Sequence, residues 1–109
     1  AAHPQTLFVL LTTPPLHPLA TLPDRAARAR ALSRWLRVEF ASLLPNLAVF
    51  DLFDLLANPP GHPGEPNMLK AEYRTGDGDS HPTAASDPVA AEALRRFLNA
   101  ALRAWGREP

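Results

Sequence analysis

Two short apolar stretches, Thr6–Thr13 (TLFVLLTT) and Leu47–Leu52 (LAVFDL), flank the long segment Asp24–Leu44 (DRAARARALSRWLRVEFASLL), and that order decides the fold. The first stretch is stopped by Pro14-Pro15, which have no amide hydrogen with which to continue a helix. Its hydrophobicity is continuous rather than alternating, the pattern of a strand buried on both faces. The second stretch has the same character. Between them Ala29, Leu32, Leu36, Phe40 and Leu43 recur at spacings of three and four, with arginines and Glu39 interleaved. This spacing predicts an amphipathic helix of about five turns. Asp24 is its expected N-cap, a carboxylate that accepts first-turn amide hydrogens, and Pro45 prevents its continuation.

Strand, helix, strand in this order is a βαβ unit, two parallel strands joined by a right-handed crossover. The expected fold class is α/β, a βαβ unit plus a C-terminal helix, with a doubly wound, flavodoxin-like three-layer fold as the parent architecture. Two strands alone leave open edges and an uncovered apolar face, so further strands are expected outside this sequence. The chain also opens on Ala1, almost directly on the first strand, and a segment upstream of it is expected.

Beyond the second strand, Phe53, Leu55 and Leu56 suit a short helix before the breaker Asn58-Pro59-Pro60-Gly61. Pro59–Pro82 is a long polar loop with one turn's worth of apolar signal at Met68, Leu69 and Tyr73, and long ordered loops disproportionately carry function. A second long helix follows. Ser86 or Asp87 is its N-cap, Pro88 lies near its first position, where a missing amide hydrogen has no cost, and Gly106 ends it. Ala90, Leu94, Phe97, Leu98, Ala101, Leu102 and Trp105 give it one apolar face, read as core packing; no cofactor is expected.

Bulk properties narrow the function. The 109 residues, 46% of them apolar, suit one partial domain spanning 1–109 and not two domains. Eleven basic residues balance eleven acidic ones, so nucleic acid is not an expected partner. Arg25, Arg28, Arg30, Arg34 and Arg37 cluster in the first helix, where they read as its solvated face. Cysteine is absent, which excludes disulfides, thiolate metal sites and cysteine nucleophiles. The longest apolar run, Leu7–Leu11, falls far short of the roughly 20 residues that span a bilayer, so no membrane span is expected. His3, His17 and His62 each precede a proline and none is paired at i, i+4; no metal site is expected.

The most informative segment is Gly76-Asp77-Gly78-Asp79-Ser80-His81-Pro82-Thr83, a Gly-rich loop that delivers an imidazole just ahead of a helix. A general base needs such a placement: one ring nitrogen faces the nucleophile, and the other N–H is held by a carboxylate that fixes the tautomer. Asp79 and Asp77 are both within reach in sequence. Ser33, Ser42 and Ser86 read as helix-surface or capping residues, and Ser80 is too close in sequence to His81 for a productive pair.

The whole order is a strand with Thr-Pro-Pro, an Arg- and Ala-rich helix, a strand ending in Asp51-Leu52, a loop with Glu72-Tyr73-Arg74, then Asp79-Ser80-His81-Pro82 and a terminal helix. It resembles the C-terminal portion of the SGNH (GDSL-like) hydrolases over nearly the whole chain. The resemblance implies a serine esterase or acyl hydrolase, with His81 as general base, its orienting acid in the same motif, and an ester as substrate. The family's usual Asp-x-x-His spacing fails here, because Gly78 stands three before His81; the acid is then Asp79, the favoured residue, or Asp77. The family's Gly-Asp-Ser nucleophile block and Gly-x-Asn-Asp block are missing, and Gly78-Asp79-Ser80 spells the first only by coincidence of letters. The chain by itself is therefore expected to be inactive. The alternatives are a non-catalytic interaction module and a fragment completed by a separate chain, docking or self-associating through the uncovered sheet.

Overall fold

The two apolar stretches pair as parallel strands, β1 (Phe8–Leu11) and β2 (Leu47–Phe50), in a register that runs from Phe8 opposite Leu47 to Leu11 opposite Phe50. The computed structural model describes residues 3–106, a mixed α/β unit of this two-stranded sheet and three α-helices. Both strands are shorter than their apolar stretches, and Thr12 and Asp51, which follow them, join their ends through side-chain hydrogen bonds. The Thr12 hydroxyl donates to Asp51 Oδ1 (3.1 Å) and accepts the Phe53 amide hydrogen (2.9 Å). Asp51 Oδ1 also accepts the Asp54 amide hydrogen (3.0 Å), which caps α2 (Leu52–Leu56). One hydroxyl and one carboxylate thereby tie the ends of both strands to the start of the short helix.

Helix α1 (Pro23–Trp35) begins with Pro23 at the first position, and Leu22 occupies the N-cap without a side-chain bond. The expectation of Asp24 as N-cap is thus corrected: the fixed φ of proline starts the helix two residues earlier, with Leu22 at the N-cap. Asp24 lies in the first turn, where its charge suits the helix dipole, and pairs with Arg28 at 3.3 Å. The helix does not run on uniformly. It widens into a π-helical stretch at Leu36–Phe40, where Trp35 and Phe40 stack with centroids 5.5 Å apart, and tightens into a 3-10 turn at Ala41–Leu43.

The buried line of α1 also differs from the expected one. Ala26 and Ser33 are buried, while Leu32 and Leu43 are 58% and 69% exposed. Arg30, between the two buried residues, is the cause. Its Nε donates to Asn67 Oδ1 (2.5 Å), one terminal nitrogen to Asp54 Oδ1 (2.6 Å) and the other to the Asn58 carbonyl (3.1 Å). The guanidinium lies 5.4 Å from the centroid of the Phe53 ring. Anchoring at Arg30 turns the line Ala26, Arg30, Ser33 inward, so neither Arg30 nor Ser33 belongs to the solvated surface to which the sequence assigned them. Arg37 is likewise engaged, with Nε 3.2 Å from Asp51 Oδ2.

The long loop folds back over α2. The Asn58 amide donates to the Met68 carbonyl (2.8 Å) and the Lys70 amide to the Leu56 carbonyl (3.0 Å), with Ala57 bridged antiparallel to Leu69. Asn67 makes the bend in the left-handed region (φ 63°), which asparagine tolerates better than most residues. The core cluster is Leu56, Leu69 and Tyr73, with Leu52 and Leu55 packed against it; Phe53 and Met68 are also buried.

Helix α3 (Asp87–Ala104) follows Ser86, whose hydroxyl bonds to the Thr83 carbonyl (2.9 Å) instead of capping, and Gly106 lies beyond its end at φ +85°. Phe97 meets Phe50 at 5.3 Å, but no residue of α3 is fully buried, so its apolar stripe is only half covered. The sheet shows the same shortfall. Phe8, Leu10 and Leu11 of β1 remain 37–48% exposed, against the expected burial on both faces, and no described residue pairs with the outer edge of β1. The radius of gyration, 15.4 Å, exceeds the roughly 13 Å of a compact chain of this size. No described helix is long and apolar enough to cross a membrane.

The contacts of Arg30 generate a stability prediction. Arg30→Ala strands the Asn58 carbonyl and the Asn67 amide oxygen, and is expected to cost about 2–3 kcal/mol in urea unfolding. Arg30→Lys, which lacks the planar fork, is expected to recover only part of the loss.

Candidate active site

At the C-terminal end of β1 the chain does not simply cross to α1. Pro15 is fully buried, the Leu16 carbonyl accepts the Leu69 amide hydrogen (3.0 Å), and Pro18–Ala20 forms a 3-10 turn. Between them His17 is buried. Its Nδ1 accepts the Leu19 amide hydrogen (3.1 Å), which places the ring proton on Nε2, and Nε2–H donates to the Thr75 carbonyl (3.3 Å). The His17 backbone amide donates to Ser80 Oγ (3.0 Å). Residues 16–20 thus form a platform beneath the loop that carries Asp79 and His81.

That loop is closed at its base by the Thr83 amide, which donates to the Tyr73 carbonyl (2.9 Å). Beside the base, Arg74 grips Glu65 with both terminal nitrogens (2.7 and 3.4 Å), and this bond holds the Glu65 carboxyl below its ordinary value. Gly78 takes a left-handed conformation (φ +84°), with the Leu19 side chain 3.6 Å from where a Cβ would stand.

The two candidate acids have different partners. Asp77 Oδ1 accepts the Thr75 hydroxyl and the Asp79 amide hydrogen (3.1 Å), and these bonds, Thr75 first, hold its carboxyl below the usual range. Asp79 Oδ1 accepts the His81 amide hydrogen (3.0 Å) and lies 2.6 Å from His81 Nδ1. The backbone bond and then the ring bond to His81 depress its carboxyl. The structure therefore brings Asp79 and His81 together and leaves Asp77 to the turn that precedes them. With Nδ1–H donated to an ionised carboxylate, the lone pair of His81 is on Nε2. The side chain is 92% exposed, so that nitrogen is open to a reacting group.

His81, Ser80 and Pro82 face Thr13–Leu16 across a groove of about 330 Å³. This groove lies at the carboxyl end of β1, the edge at which open α/β sheets bind ligands. Among the described residues no hydroxyl is hydrogen-bonded to His81. Ser80 accepts from His17, Ser42 donates to the Glu39 carbonyl (2.7 Å), Ser86 to the Thr83 carbonyl, and Ser33 is buried in α1. Asp51 and Asp54 are occupied in the α2 cap and the Arg30 bond, away from the pair. Among the described residues no three acidic, histidine or cysteine side chains gather as a metal site. Sequence reasoning passed over His17, which looked like one of several histidines in proline-rich connections; only the folded loop reveals what it touches.

Comparison of the chain with models of known families, with curated proteins and with solved structures finds no match.

The Asp79 bond predicts a pH dependence. Its folded-state pKa is depressed, so the order it lends the loop is present above the ordinary carboxylate value of about 3.9 and lost as pH falls through the depressed one. The His81 amide proton resonance is expected to move with that titration, and in Asp79→Asn to lose the step.

Proposed function

We propose that this chain is the base-bearing part of a serine ester hydrolase of the SGNH kind, with His81 as general base and Asp79 as its orienting acid. The observation that carries the reading is the 2.6 Å bond from His81 Nδ1 to Asp79 at the rim of a groove, with Nε2 left open. In the reaction, a serine hydroxyl attacks the ester carbonyl and His81 Nε2 takes its proton. Asp79 stabilises the imidazolium, which then protonates the departing alcohol. None of Ser33, Ser42, Ser80 and Ser86 stands where that hydroxyl must be, so the nucleophile and the oxyanion donors come from polypeptide beyond these residues. The parallel pairing of β1 and β2 and the open apolar edge of β1 agree with a larger, doubly wound sheet that completes the three layers.

The same exposed residues, Phe8, Leu10 and Leu11, favour a second reading, a fragment completed in trans by a separate chain that pairs along β1. In either case the substrate is an ester.

Fluorophosphonate labelling with peptide mapping tests the proposal. The chain alone is expected to leave all four serines unlabelled. Joined to the sequence encoded immediately upstream, or mixed with a complementing chain, it is expected to yield one labelled serine outside these 109 residues. In that assembly His81→Gln is expected to lower ester turnover by about 10⁴- to 10⁶-fold and Asp79→Asn by about 10⁴-fold. Labelling of any of the four serines overturns the reading, as does an assembly with no reactive serine.

A further inference from the structure

We propose that His17 is a positioning residue that sets where the Asp79–His81 pair stands over the groove. This inference rests on the reading of His81 as the base and goes beyond it, since His17 lies in a segment far from the motif in sequence. The pair is short-range, two residues apart, so its internal bond closes only while the loop that carries it keeps its turn. What holds the loop in that turn and over the sheet lies outside the pair, and a base displaced by about 1 Å can lose about 10²-fold in rate.

The loop is held at its closed base by Tyr73 and Thr83, and along its length by two hydrogen bonds to β1's following segment, both of which lead to His17. The ring takes the Thr75 carbonyl, ahead of the pair, and the backbone amide takes Ser80 Oγ, between Asp79 and His81. His17 is only 6% exposed, and its four polar groups are all used: amide to Ser80, carbonyl to the Ala20 amide, Nδ1 to Leu19, Nε2 to Thr75. An apolar side chain of similar size fills the same space but leaves the Leu19 amide and the Thr75 carbonyl without these partners. An imidazole is the side chain that accepts at one ring edge and donates at the other, and here the first bond fixes the platform while the second holds the loop on it. Leu19 completes the contact beside Gly78.

The test uses the isotope-labelled 109-residue chain and reads two signals that a purely structural role does not move. These are the titration midpoint of the Asp79 carboxylate and the difference between the two His81 ring nitrogen shifts at neutral pH. His17→Leu is expected to raise the Asp79 midpoint toward the ordinary value of about 3.9 and to narrow the nitrogen difference as the tautomers mix. His17→Gln, which keeps a donor toward Thr75, is expected to restore part of both, and Ser80→Ala to move both in the same direction by a smaller amount. The Phe53 and Tyr73 ring resonances report whether each variant retains the core. Folded His17→Leu and Ser80→Ala proteins with unchanged Asp79 and His81 signals overturn the proposal. If His17→Leu does not fold, Ser80→Ala decides alone, because it removes no buried ring: a shift supports the proposal and no shift overturns it. The hydrolase reading fails on the absence of a reactive serine, a result that leaves these signals untouched, so the two failures are distinguishable.

Discussion

The planar fork of Arg30 is the constraint on which the rest of this small fold depends. A helix, a five-residue helix and a loop of more than a dozen residues meet there; α2 and the loop share the core, but of α1 only Ala26 and Ser33 are buried. One guanidinium reaches an asparagine side chain on the loop, a carboxylate on α2 and a carbonyl between them, while its face lies on Phe53. Three directional bonds fix a rotation as well as a distance, which is why α1 presents Ala26 and Ser33 inward and sends Leu32 to solvent. Apolar burial, being non-directional, would have favoured the leucine.

This accounts for what the sequence made legible and what it did not. Continuous hydrophobicity located both strands, prolines bounded them, and the three- and four-residue spacing located both long helices; these signals are local or depend on the chain's own period. The buried line of α1 was misread because periodicity ranks faces by hydrophobicity, whereas here a polar anchor from a distant loop decides. Asp24 was misplaced by two positions because a proline can start a helix without a side-chain cap. The Asp79–His81 pair was legible because both residues lie in one motif. His17 was not, because its partners are Thr75 and Ser80, and no local pattern records a contact across 58 and 63 residues.

The segment Pro14–Pro23, read as a connection between strand and helix, is the part of the structure that links sheet to site. Prolines suit this work: Pro15 is buried without an amide to satisfy, and Pro18 helps set the tight turn that brings the Leu19 amide onto His17 Nδ1. A flexible linker of the same length would span the same gap but would place nothing. The groove beside His81 is walled on one side by this segment and on the other by the loop it supports, so its width follows directly from the platform's geometry.

The left-handed turn at Gly78 has a consequence for how an acid and a base come to be matched. An aspartate at that position, three before His81, would carry backbone strain. One residue later, the carboxylate of Asp79 meets both the backbone and the ring of His81 within a single turn of chain. Two groups so near in sequence need almost no loop closure to find one another. The pair is therefore a short cassette that closes on itself once His17 and its platform hold the loop in shape. What remains for the surrounding protein is one docking event, bringing a single reactive group to a base already oriented.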